Sequence, residues 1–108
     1  MKNPPANTID YPPIAICFNE PEIAFLFAEL VEAHGFQSAI YEDPESTSTA
    51  THIITEPNLF DQLPEWAQKN CLVISDKSEE RKKAAVTLLR PLEEEKIETA
   101  FARFLPQQ

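Results

Sequence analysis

Glycine is almost missing from this chain: Gly35 is the only one in 108 residues. A loop that cradles phosphate with backbone N–H groups normally needs several glycines, so nucleotide enzymes of that type are disfavoured. Cysteine is scarce too. Cys17 and Cys71 are too few for a disulfide scaffold, and a reduced, cytoplasmic setting is expected. Basic residues are outnumbered, with 9 Lys and Arg against 18 Asp and Glu and a net charge of −9. That balance disfavours nucleic acid, whose phosphates need basic contacts, and equally an anionic membrane surface. No apolar run is long enough to span a bilayer. The opening MKNPPANTIDYPP has no apolar stretch of the signal-peptide kind. His52 has no Cys or second His nearby, so zinc is not expected, and no cofactor is implied.

What is present is a chain 43% apolar, enough for one modest core. Residues 1–13 read as a Pro-rich linker, residues 106–108 as a tail, and residues 14–105 as a single domain. Both ends suit a module cut from a larger protein, or a free-standing one with frayed termini. Within the domain, short apolar runs alternate with helical patterns. Ile14–Phe18 is a run without polar alternation, as in a strand covered on both faces. Asn19 or Glu20 can cap the helix that follows, with Pro21 in its first turn. Ile23, Leu26, Phe27, Leu30 and Val31 predict one apolar stripe. Gly35 stands where a left-handed residue ends a helix. Ser38–Tyr41, Ile53–Ile54, Cys71–Ile74 and Val86–Leu89 are the other expected strands. The segment EDPESTSTAT reads as an exposed loop, and Pro64 breaks any helix in NLFDQLPEWAQKN. SDKSEERKKAA is at most a short solvated turn, its EERKK run (Glu79–Lys83) a solvated face. A final helix runs over Leu92–Leu105, with Ile97, Ala100, Phe101, Phe104 and Leu105 on its stripe.

Strands separated by crossovers imply a parallel sheet. Five of them, with a helix after the first and the last, fit an α/β, flavodoxin-like doubly wound sheet in the order 2-1-3-4-5 with shortened middle helices. Ligands of such sheets sit at the carboxyl ends of the strands. There the sequence offers Phe18, Asn19, Glu20, Glu56, Ser75 and Arg90.

The segments IAICFNEPEIAFLFAELVEAHGF and VTLLRPLEEEKIETAFARFL resemble the receiver (CheY-like) domains of bacterial response regulators, and the likeness runs over most of residues 14–105. The family transfers a phosphoryl group to an aspartate. It uses two acidic residues for Mg²⁺, the aspartate itself, a hydroxyl and a lysine. The resemblance puts the acidic pair on Phe18 and Asn19, the phosphoacceptor on Glu56, the hydroxyl on Ser75 and the lysine on Arg90. Phe18 cannot ligate Mg²⁺, which wants carboxylate oxygens, and Asn19 offers only a neutral carbonyl. Glu20 would offer one carboxylate, but the E-P-E-I register argues against it. Glu56 is a methylene longer than aspartate and imitates the charged state instead of accepting phosphate. Arg90 is a fork suited to pairing with it. The resemblance therefore implies a degenerate pseudo-receiver, of the kind found inside some hybrid histidine kinases or ahead of transcriptional activators.

For each position a plainer reading stands beside the functional one. Glu56 is also an ordinary carboxylate at a strand end, Arg90 a snorkelling surface cation and Ser75 a local cap. Cys17 and Cys71 read as inert buried thiols on non-adjacent strands. His34 profits from the negative end of its helix. Phe25 lies nearly opposite the Leu26–Leu30 stripe and is a candidate partner contact. Trp66 reads first as a lid over the sheet, second as an interface anchor. The resulting expectation is a non-enzymatic signalling module acting by protein–protein contact with a kinase domain, a receiver, an adjacent domain or a second copy of itself. Two alternatives remain: an atypical but phosphorylatable receiver, and a flavodoxin-like domain that binds a small ligand.

Overall fold

The computed structural model describes residues 12–75 and 84–105. Most of the linker at 1–13, the Glu79–Lys83 run and the tail at 106–108 lie outside them. Five strands, β1 (Ile14–Cys17), β2 (Ser38–Ile40), β3 (Ile53–Thr55), β4 (Cys71–Ser75) and β5 (Val86–Leu89), form one sheet in the order β2-β1-β3-β4-β5. Every pairing is parallel. This is the flavodoxin-like arrangement the run order predicts, with few helices.

Among the described residues four α-helices accompany the sheet: α1 (Pro21–Ala33), α2 (Pro57–Phe60), α3 (Glu65–Gln68) and α4 (Glu94–Phe104). Successive strand residues point to opposite faces. Ile14, Ile16, Ile54, Leu72, Ile74, Val86 and Leu88 face α1 and α4. Ala15, Ile53, Cys71 and Val73 face the other side, where Phe60, Leu63 and Ala67 cover them. Being covered on both faces is why β1, β3 and β4 read as unbroken apolar runs.

Helix α1 starts with Pro21 at its first position, and Glu20 occupies the cap without a side-chain bond. It ends where Gly35 takes φ 92°, a left-handed conformation that a Cβ would penalise. The Gly35 and Phe36 amides donate to Glu32 and Val31 carbonyls, closing the last turn. The buried stripe differs from the expected one. Ala24, Phe27, Ala28 and Val31 are buried, Ile23 and Leu30 are only partly so, and Leu26 is exposed. The sheet meets α1 on Phe27 and Val31 with Ala24 and Ala28 between them, the alanines filling the places beside the large Phe27 ring. The larger Leu26 is left at the rim.

Two further differences concern the connections. The segment after β2 is not a plain exposed loop. Asp43 caps a 3-10 turn over Pro44–Thr47, accepting from the Ser46 amide, and Thr47 is buried with its hydroxyl donating to the Pro44 carbonyl. Self-satisfied polar groups allow a segment poor in apolar residues to pack. Trp66 is not a lid. It is 55% exposed, and Phe60, Leu63 and Ala67 close that face instead. Pro64 does split the region, since α2 ends before it and α3 is capped by it. Gln68 Nε2 donates to the Phe60 carbonyl at 3.1 Å and ties the two short helices together.

Candidate functional site

The order β1-β3-β4-β5 brings the carboxyl ends of four strands side by side. Phe18, Asn19 and Glu20 follow β1, Glu56 follows β3, Ser75 ends β4 and Arg90 follows β5. The six residues singled out in the sequence therefore share one end of the sheet. Phe25 and Trp66 are not strand-end residues: Phe25 is on the exposed flank of α1 beside β2, and Trp66 is on α3 at the opposite face.

The geometry at this end is specific. The Asn19 amide N–H donates to Glu56 Oε2 at 2.7 Å, so the Glu56 carboxylate reaches from the end of β3 to the loop after β1. A hydrogen bond to a charged acceptor is of the stronger kind. It crosses the point where the chain order reverses, since β1 is followed by β2 on one side and flanked by β3 on the other. Beneath it, the Thr55 hydroxyl donates to the Cys17 carbonyl at 2.8 Å. The Arg90 amide donates to the Ser75 carbonyl at 2.8 Å, which extends the β4–β5 ladder to the strand ends.

Phe18 turns away from this surface. It is buried, and its ring stacks on Phe27 with centroids 5.5 Å apart and planes at 16°. Asn19 uses its backbone as a donor there. These groups do not fit a Mg²⁺ site: a stacked phenyl offers no oxygen, and the neighbouring amide N–H points at the Glu56 carboxylate. Among the described residues no group of three or more His, Cys, Asp or Glu is placed to hold a metal ion.

Asp43 is the member that sequence reasoning missed. Burial, then the negative charges of Asp43 and Glu56, push the Cys17 thiol up to about 11. Asp43 thus belongs to the electrostatics of the strand ends. The signal was available in Asp43-Pro44-Glu45-Ser46, a cap followed by proline in the first turn. Cys71, whose Sγ lies 3.5 Å from the Ala67 carbonyl, is pushed up to about 12 by burial. Both cysteines are free and buried on non-adjacent strands. Such thiols stay protonated and inert at neutral pH.

At the opposite end of the sheet two histidines pack on α4. His34 Nδ1 lies 2.8 Å from the Leu30 carbonyl, Nε2 lies 3.2 Å from Glu98, and the ring meets Phe101 edge-on. The Leu30 carbonyl raises its pKa most, burial opposes, and Glu98 raises it further. His52 meets Phe104 edge-on, and burial lowers its pKa.

No family model, no curated protein and no solved structure matches the chain. No helix among the described residues is long and apolar enough to cross a membrane.

Proposed function

We propose that the chain is a non-phosphorylatable pseudo-receiver: a cytoplasmic, non-enzymatic module of a two-component, phosphorelay or transcription-regulatory system that acts by binding other proteins. The observation that carries this reading is the Asn19–Glu56 bond of 2.7 Å. A carboxylate held by a backbone N–H at the reversal of the strand order puts permanent negative charge where a phosphorylated receiver would carry it. It also opposes an anionic ligand in the same crevice. Phe18, committed to the core, supports the loss of metal-dependent chemistry. Arg90, one strand beyond Ser75, is the cation offered to that charge. With no chemistry left at the strand ends, the remaining output is contact with a kinase domain, a receiver, an adjacent domain or a second copy.

The test is an amide NMR spectrum before and after addition of Mg²⁺ and beryllofluoride, which imitates a phosphoryl group. The signals of Asn19, Glu56, Ser75 and Arg90 are expected to stay in place. Shifts in all four that spread into β5 and α4 would establish a phosphorylatable receiver instead.

A further inference from the structure

Charge is distributed unevenly along the chain. Between Lys2 and Lys69 there is no Lys or Arg, while eleven of the 18 Asp and Glu residues fall in that interval. Of these, Glu22, Glu29 and Glu32 are on α1 and Glu42, Asp43 and Glu45 follow β2, so six of them flank the α1/β2 edge of the sheet. On the β5 and α4 side the carboxylates Glu93, Glu94, Glu95 and Glu98 are interspersed with the cations Arg90, Lys96 and Arg103, whereas α1 and β2 carry no Lys or Arg.

On the acidic side, α1 flanks the edge strand β2, which pairs only with β1 among the described strands. The Ser38 hydroxyl donates to Glu32 Oε2 at 2.8 Å and fixes which side of the helix leans on β2. Phe25 lies two helical turns before Glu32 on that same side. Ile40 lies two residues after Ser38 on the same face of β2. Helix and strand run in opposite directions, so both steps lead toward the carboxyl end of the sheet. They bring Phe25 and Ile40 onto one flank. Both are exposed, at 59% and 42%. Glu22 and Glu29 are one turn to either side of Phe25, and Glu42 and Asp43 come two and three residues after Ile40.

A large aromatic and a β-branched residue, left exposed within a rim of carboxylates and with no cation on their elements, form a charge-selective docking surface. Nucleic acid and anionic lipid are repelled by it. We propose that the α1/β2 flank binds a basic segment of a partner protein, one that sets an apolar side chain on Phe25 and Ile40 and Lys or Arg against Glu22, Glu29 and Glu42. The proposal rests on the protein-binding reading above and names the surface and the chemistry of the partner.

The test uses the isotope-labelled full chain and three probes: an amphipathic Leu/Lys peptide, its Leu/Glu counterpart and oligolysine. The Leu/Lys peptide is expected to shift Phe25, Glu29 and Ile40, with the Leu/Glu peptide silent and oligolysine weaker. F25S/I40T is expected to weaken the Leu/Lys peptide at least about tenfold while leaving oligolysine unchanged, as loss of apolar anchors does. Glu29→Lys should weaken both basic probes, whereas Glu95→Lys on α4, with the same change of charge, should leave the footprint in place. Each variant is first checked for an unchanged dispersed spectrum.

A footprint centred on Glu56 and Arg90, or one indifferent to F25S/I40T, overturns this surface and leaves the protein-binding reading standing. Shifts at Phe25 and Ile40 that grow with protein concentration alone assign the flank to a second copy and also overturn the proposal. A beryllofluoride response at the strand ends overturns the pseudo-receiver reading separately, since it leaves the peptide footprint untouched.

Discussion

On one face of the sheet, α1 and α4 enclose a core cluster of 17 buried residues, among them Phe18, Phe27, Phe101 and Phe104. On the other face, among the described residues, α2, α3 and the turn after β2 cover a cluster of 7. The first cover is two helices of 13 and 11 residues, the second two helices of 4 residues each. Short helices have no stability of their own, so the second face is held by what its few apolar residues bury. Among the described residues, the sheet is therefore anchored by long helices on one side and by short ones on the other. Each cover leaves one aromatic exposed, Trp66 on α3 and Phe25 on the flank of α1.

Core truncation gives the largest test of this contrast. Phe27→Ala or Phe101→Ala is expected to cost about 3–5 kcal/mol in chemical denaturation, because rings packed among large neighbours leave a cavity that cannot collapse. Phe60→Ala on the lighter face is expected to cost about 3 kcal/mol or less, because short elements can settle into the space. Equal losses would break the contrast. Hydrogen exchange sharpens it: amides of α2 and α3 should open well below the global unfolding free energy, and those of β1, β3 and β4 only with it.

A smaller effect is expected at the strand ends. Glu56→Gln keeps the acceptor for Asn19 but removes the charge, and should cost about 1 kcal/mol or less. The Asn19 amide proton should move upfield in the same variant. No change at Asn19 would remove the bond on which the functional reading rests.

The histidines supply opposite pH dependences at the other end. His34 has its pKa raised above 6.5 in the folded protein. Its contribution to stability is full below that value and is lost as pH rises through the raised folded one. His52 is lowered from 6.5. Its neutral ring contributes above that value, and the contribution is lost as pH falls through the lowered folded one. Thermal melts across this range should show H34Q losing stability mainly on the acid side and H52Q mainly on the alkaline side. Matching profiles would contradict the two environments. The smallest effect is expected for Phe25→Ser, within about 0.5 kcal/mol, as for an exposed residue outside the core.

The strongly patterned pieces were legible in advance. The runs at Ile14, Cys71 and Val86, the stop at Gly35 and the stripe of α4 all carry their own local signal. Pro64 announced the broken middle. The alignment of Phe18, Asn19, Glu20, Glu56, Ser75 and Arg90 along one end followed once the strand order was inferred. The stripe of α1 was misjudged, because size alone favoured Leu26 over Ala24 and Ala28. The face that Phe27 and Val31 turn to the sheet carries Ala24 and Ala28 with it and leaves Leu26 at the rim. Trp66 was misjudged for a related reason: a single turn of helix can bury either Ala67 or Trp66, and only the position of Phe60 and Leu63 decides which. Thr47 was hidden because nothing local distinguishes a buried hydroxyl from an exposed one.

By itself the sequence determined the alternation of strands and helices, the parallel sheet and the excess of negative charge. These depend on periodicity, capping and composition, which act over a few residues. Only the tertiary structure decided that Glu56 closes on the Asn19 amide, that Phe18 joins Phe27 in the core, and that Phe25 and Ile40 share a flank. Each of those pairs residues distant in sequence or on different elements, and their meeting depends on register and on the distance between helix and sheet. No local pattern records those quantities.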